Sequence, residues 1–251
     1  MRRALLLFSL AWGAGGIYAY AQAQAPPSPP QGDYIVRVLV TPQTETTLSS
    51  PMLGQVRNVN VTLGAGFKKG ETLVRFYCQE QAARVAMGVA EVAAARENHE
   101  AKLRLQGLQS AAEIEVALAA AALEKARAQL TLYRTQAAEC IVRAPFAGRA
   151  AKIHIKPHQS VTAGQPLIDI VSDDPPKLRL NVPSKWLAWL TIGRTFTVTI
   201  DETYRSYKAH VTAINARVDA ASQSVEVEGV VDNPGRELLP GMSGTALFDQ
   251  N

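Results

Sequence analysis

The chain has 251 residues, 47% hydrophobic and 6% aromatic, with 17 Gly and 14 Pro: an ordinary globular composition with room for two modest domains. Its net charge of +4 is spread along the chain with no basic run, so nucleic acid is not implied as a partner. Two cysteines and four histidines are thin material for a metal site or for thiol chemistry.

Arg2 and Arg3 precede a short apolar run, Ala4 to Tyr18, and then Ala19, Ala21, Ala23 and Ala25 offer cleavage sites of the A-x-A kind. A spanning helix needs about twenty apolar residues. The shorter run favours a removed signal peptide over residues 1–25 rather than a retained anchor. No cysteine lies near the site, so lipid attachment is not expected there. Bacterial-style export leads to the periplasm, an oxidising compartment. Residues 26–32, Pro-Pro-Ser-Pro-Pro-Gln-Gly, read as a stiff extended linker. Residues 33–46 follow as an N-terminal strand in which Tyr34, Val36, Val38 and Val40 alternate with more exposed positions, expected to join a barrel further on.

Two similar stretches come next, Ser50 to Phe76 and Ala144 to Ile170. A shift of 94 positions places Pro51 on Pro145, Gly54 on Gly148, Gly70 on Gly164 and Leu73 on Leu167 without a gap. Val59 and Val61 fall on Ile153 and Ile155, and Val74 on Ile168. Glycines at equal offsets mark positions that need φ > 0 or close approach, and β-branched residues at i, i+2 give one buried strand face. The reading is one β-motif present twice, over 47–77 and 139–172, with a helical arm over 78–138 grown between its halves.

In the arm, Ala82, Val85, Val89, Val92, Arg96, His99, Leu103 and Gln106 are spaced alternately by three and four, which predicts the seam of an antiparallel helical hairpin. Gly107 to Ser110 breaks the pattern. Ala112, Val116, Ala119, Leu123, Ala126, Leu130 and Tyr133 form the matching stripe on the return helix. At ~1.5 Å per residue the arm is roughly 40 Å long. Its many alanines leave a second, weakly apolar face on which neighbouring hairpins could stack, unless they serve helix propensity alone. A turn centred near Gln109 pairs residues whose numbers sum to about 218, as those of Cys78 and Cys140 do. In an oxidising compartment this predicts a disulfide at the foot of the arm; the alternative is two buried free thiols.

Asp173-Asp174-Pro175-Pro176 marks a boundary, and 173–251 reads as a second domain. Strand-like runs at Leu178–Val182, Thr195–Ile200, Ala209–Ile214, Val225–Val231 and Thr245–Phe248 predict a small antiparallel barrel. A short helix over Ser184–Leu190 is packed down by Trp186 and Trp189.

These stretches carry a resemblance. Ile141-Val142-Arg143-Ala144-Pro145-Phe146-Ala147-Gly148 resembles the "I-x-A-P-F-x-G" that opens the second lipoyl-like half of periplasmic adaptors, the HlyD-like membrane fusion proteins of bacterial efflux and type I secretion systems. Val182-Pro183, Leu187 and Gly193 resemble that family's barrel, and Asn233 with Leu238-Leu239-Pro240-Gly241-Met242 resembles its closing "N … L-x-P-G-M". The implied fold is mainly β with an α-helical coiled-coil hairpin: a lipoyl-like barrel-sandwich hybrid plus a small antiparallel β-barrel. The implied role is non-enzymatic. Such adaptors assemble as rings, typically hexameric, linking an inner-membrane transporter, of the resistance-nodulation-division or an ATP-driven type, to an outer-membrane channel, and they need no cofactor.

Three departures stand out. The place where the family often carries a barrel arginine after the aspartate matching Asp219 reads Ser222-Gln223-Ser224. The chain ends where many adaptors continue into a membrane-proximal domain, which would leave contact with the inner-membrane partner mainly to the barrel. At the hairpin tip, channel-docking members show Arg, then Leu four later, then Ser seven after that. Leu103 and Ser110 match, but the Arg position is His99, with Arg96 one turn nearer the base. These four are the candidate tip contacts, although Leu103 could instead close the seam and Ser110 cap the return helix.

Enzyme motifs are missing: there is no G-x-S-x-G, H-E-x-x-H, C-x-x-C or phosphate-cradling loop. His154 and His158 flank Pro157 in a strand-and-turn stretch, and Asp173 and Asp174 read as solvated turn residues rather than an acid/base pair. A biotinyl or lipoyl carrier would bear a lysine in a tight turn between the halves, where this chain has the hairpin. A stand-alone periplasmic scaffold or binding protein is the other alternative.

Overall fold

The computed structural model describes residues 34–109, 112–235 and 237–249. The expected signal peptide and linker, and Ser110, lie outside the described residues.

The chain runs through β1 (Ile35–Thr41), β2 (Glu45–Ser49), β3 (Gly54–Val59), β4 (Gly66–Phe67) and β5 (Thr72–Phe76) into two long helices, α1 (Gln79–Gly107) and α2 (Glu113–Ala138). It returns through β6 (Ile141–Arg143), β7 (Gly148–Ile153), β8 (Ser160–Val161) and β9 (Pro166–Ser172). The last part holds β10 (Lys177–Pro183), a 3₁₀ turn at Ser184–Ala188, β11 (Thr195–Ile200), β12 (Arg205–Asp219), β13 (Ser224–Val231) and β14 (Ser243–Phe248).

Two four-stranded sheets, ordered β2-β9-β7-β4 and β6-β5-β3-β8, make the first module. The 94-residue shift carries each strand of one sheet onto its counterpart in the other, and the hydrogen bonds repeat with it. The Gly70 N–H donates to the Ala144 carbonyl and the Gly164 N–H to the Ser50 carbonyl, both at 2.8 Å. Gly64 N–H donates to Ala150 and His158 N–H to Val56, again both at 2.8 Å. Each half therefore completes the backbone pairing of the other. Between the sheets, Val56, Leu73, Val74 and Phe76 pack with Ala150, Leu167, Ile168 and Ile170, all buried.

The glycines of the repeat do different jobs. Gly70 and Gly164 have φ of +82° and +80°, which only glycine adopts without steric cost. At Gly148 the reason is close approach: a Cβ there would lie 2.0 Å from the Val171 carbonyl oxygen. Gly54, its counterpart, has φ in the ordinary range and meets only the Met52 side-chain tip at 3.3 Å and the Phe76 ring at 3.7 Å. Pro51 and Pro145 both stand in exposed turns ahead of these strands.

Six antiparallel strands close the barrel in the order β1-β10-β13-β12-β11-β14. Alternate residues point inward, so Val38 and Val40 of β1 join Leu178, Leu180, Val198, Ile200, Val225, Val227 and Phe248 in one apolar interior. Trp186 packs at 5.6 Å from Phe248 and 5.3 Å from Trp189, closing one end with an aromatic lid. The helix expected over Ser184–Leu190 is the shorter 3₁₀ turn, closed by the Trp189 N–H donating to the Trp186 carbonyl. The strand expected at Ala209–Ile214 extends in both directions to 15 residues, with bulges that bend its distal part.

The two modules share two side-by-side chain crossings, 42–44 and 173–176. The Ser172 N–H donates to the Thr44 carbonyl at 2.9 Å, and Arg149 pairs with Asp173 at 3.0 Å.

Candidate interaction surfaces

The arm presents the longest surface. Its seam on α1 is formed by Gln81, Val85, Gly88, Val92, Ala95, His99, Lys102 and Gln106, each buried or half-buried. Half of the expected seam is therefore out of phase: Ala82, Val89, Arg96 and Leu103 face outward, with Val89 46% and Leu103 44% exposed. The physical reason is at Gly88. A Cβ there would come within 2.9 Å of the Tyr133 ring and 3.4 Å of Leu130 Cα, so the backbones meet closely at a residue without a side chain. That contact rotates the apolar Val89 away from the partner helix. On α2 the expected stripe lies in the seam from Val116 to Tyr133, while Ala112 is exposed at the helix start.

Toward the tip, Lys102 reaches across to Glu115 at 2.7 Å and ties the two helices. Arg96 pairs along its own helix with Glu100 at 2.7 Å, and the hydrogen bond from Arg96 holds the Glu100 carboxyl below the usual carboxylate range. His99 sits half-buried in the seam between them and lines a groove of about 540 Å³ with Arg96, Leu103, Ala120 and Leu123. Beyond Leu103, the apolar Leu105, Leu108, Ile114 and Leu118 are all exposed, Leu108 by 74%. Arg96, His99 and Leu103 thus share one flank of the arm below an apolar tip. Apolar side chains left in water on a narrow rod are an unsatisfied surface of the kind partners cover.

At the foot, Cys78 and Cys140 form a disulfide with Cα atoms 6.2 Å apart. Cys78 precedes the first turn of α1 and Cys140 follows the last turn of α2, so the bond ties both helix ends to the first module.

On the barrel, the closing segment docks against β1. The Gly241 N–H donates to the Val40 carbonyl and the Val40 N–H to the Met242 carbonyl, both at 2.8 Å, with Gly241 at φ +95°. Pro240 and Met242 are half-buried, Leu238 is buried in the core, and Asn233 is exposed in the turn after β13. The turn at Ser222-Gln223-Ser224 is held by Asp219, whose carboxylate accepts from the Ser222 N–H at 2.8 Å, the Ala221 N–H at 3.0 Å and the Ser222 hydroxyl at 2.9 Å. These bonds, the Ser222 N–H foremost, lower the Asp219 pKa. The turn is therefore built on Asp219 and Ser222. His154 pairs with Asp169 at 2.8 Å, and the His158 ring lies 3.3 Å from the Tyr77 hydroxyl, so the two histidines do not converge.

Residues 178–251 match the family model of the CusB-like β-barrel domain. The structure is similar to that of a membrane fusion protein of Streptococcus pneumoniae, with a TM-score of 0.71 at 19% identity over 86% of this chain and 99% of the other. The fold is that of a membrane fusion protein. A MacA–MexA chimera carrying the Pseudomonas aeruginosa MexA α-hairpin has a TM-score of 0.75 at 17% identity over 85% of this chain and 79% of the other. In sequence, an uncharacterised Haemophilus influenzae protein is 27% identical over 206 residues. The chain covers 54% of that relative's length.

Proposed function

We propose that this chain is the periplasmic adaptor of an export system, bridging an inner-membrane efflux or secretion transporter to an outer-membrane channel and catalysing nothing itself. The observation that carries this reading is the arm inserted between two halves that complete each other. A hairpin rooted at both ends in one interlocked module, and clamped there by a disulfide, transmits position across its length as a rigid spacer. The exposed apolar tip with Leu103 and the flank holding Arg96 and His99 supply the channel contact, joined by Ser110. The small residues along the arm, and the sides of the two β-modules, let copies stack into a ring, hexameric by the precedent of the family. The signal peptide directs export to the periplasm, where the inner membrane is reached through the partner.

A photo-reactive residue at Leu103 tests the tip contact in intact cells: adducts with an outer-membrane protein are expected, and their absence at saturating labelling overturns it. Gentle detergent purification tests the bridge. An adaptor brings transporter and channel subunits with it, whereas recovery of this chain alone from membranes would favour the stand-alone scaffold.

A further inference from the structure

We propose that the Cys78–Cys140 disulfide is an exchangeable bond, opened by an anionic thiol that enters under Arg57 and Arg75. Both cysteines line an open groove of about 420 Å³ together with Arg57, Arg75, Tyr77 and Gln79. Arg57 and Arg75 are neighbours on the exposed face of β3 and β5, at the register shift between Val56 and Asn58. Neither has a carboxylate within ion-pair distance among the described residues. Arg57 lies instead 6.0 Å over the Tyr77 ring, which keeps its guanidinium at the mouth of the groove. A second hollow of about 310 Å³, lined by Arg57, Tyr77 and His158, continues the groove on the other side of the tyrosine. A structural disulfide needs no such approach: two uncompensated cations beside it concentrate negatively charged reagents at the sulfurs.

Cys78 is half-buried and Cys140 buried, so the entering thiolate attacks Cys78 Sγ. A new S–S bond forms as the Cys78–Cys140 bond breaks, and Cys140 leaves as the thiolate. A second thiol of the same reductant then attacks the mixed disulfide, releasing Cys78. The two electrons come from the reductant, which departs as its own disulfide. Cys78 stands just before the first turn of α1, whose free N–H groups favour its thiolate. Opening the bond releases the clamp where both helices meet the module, so the arm becomes able to pivot on its foot.

The charge of the thiol provides the test. The purified, folded chain is reduced under pseudo-first-order conditions by 2-mercaptoethanesulfonate or by cysteamine, with rates compared at equal thiolate concentration and low salt. The anionic thiol is expected to react roughly tenfold faster, the advantage shrinking severalfold in about 0.5 M salt. R57Q/R75Q is expected to abolish the preference, whereas K68Q/K69Q, which removes the same charge elsewhere, is expected to keep it. Equal rates for the two thiols in the native chain, equal effects of the two double variants, or no reduction until denaturant is added would each overturn the proposal. The comparison on the native chain stands even if a variant fails to fold.

Discussion

Gly148→Ala and Gly54→Ala occupy the same place in the two halves of the repeat, yet the structure assigns them opposite outcomes. At Gly148 the added methyl would sit 2.0 Å from the Val171 carbonyl oxygen, 2.9 Å from its carbon and 3.1 Å from Ser172 Cα. These are backbone atoms of β9, which is paired to β7 at this residue, while β4 pairs on the other side through Phe67. Relief to a normal contact requires about 1 Å of separation between strands held from both edges. Overpacking of this severity costs ~3 kcal/mol, a large share of the 5–15 kcal/mol that stabilises a typical domain. For a module of this size that is a fall in Tm of roughly 12–24 °C. At Gly54 the nearest atom is the flexible end of Met52, so alanine is expected to cost under about 1 kcal/mol, offset in part by a stiffer unfolded chain. Trp186 and Trp189 sit in the barrel, so their fluorescence follows the wrong module. Hydrogen exchange at Ile168 and Ile170, read beside thermal circular dichroism, reports the right one. If Gly148→Ala lowers protection no more than Gly54→Ala does, the close-approach argument is refuted.

Removing the foot disulfide with Cys78→Ala and Cys140→Ala opens a loop spanning 62 residues and is expected to destabilise the chain by up to ~4 kcal/mol, seen as a lower urea midpoint. Val92→Ala is expected to loosen the hairpin by roughly 1 kcal/mol because Val92 lies in the seam, while Val89→Ala stays within about 0.5 kcal/mol. Helix melting monitored at 222 nm separates the two, and equal losses would restore the opposite phase. Asp169 accepts from Thr47 and from His154, each at 2.8 Å, and the Thr47 bond above all lowers its pKa. A depressed carboxylate pKa means stability present above about pH 4 and lost as pH falls through the lower folded value. Asp169→Asn is therefore expected to flatten the acid limb of a stability–pH curve, and an unchanged limb would show the pair contributes nothing.

Much of this architecture was legible because it is written twice. Proline and glycine offsets, with alternating Val and Ile, identify both halves of the first module before any strand is drawn. What the offsets hide is the equivalence of Gly64 and His158. Both adopt positive φ, +76° and +68°, and both donate the same hydrogen bond, but one residue type does not announce the other. The hairpin was readable as a pair of helices and not in its phase, since Val89 and Leu103 outrank Gly88 and Lys102 in apolarity while the close approach at Gly88 sets the seam. The ends of β12 were hidden by polar residues, Arg205, Ser206 and Lys208 at one end and Asn215, Arg217 and Asp219 at the other, that a strand on the barrel surface tolerates. The groove beside the cysteines gave no linear signal: Arg57 and Arg75 meet only when β3 pairs with β5, and Cys140 joins them from the far end of the hairpin.

Because both helices of the arm leave the first module at one end, beside Cys78 and Cys140, the arm's reach is a quantity the rest of the molecule does not sense. Seven residues added to each helix, in matching places, would push the tip outward by about 10 Å and bring the seam back to nearly the same face. Every contact in the two β-modules would be untouched. A lineage carrying this design can retune the distance it spans by paired insertions, as a surveyor swaps rods on one tripod.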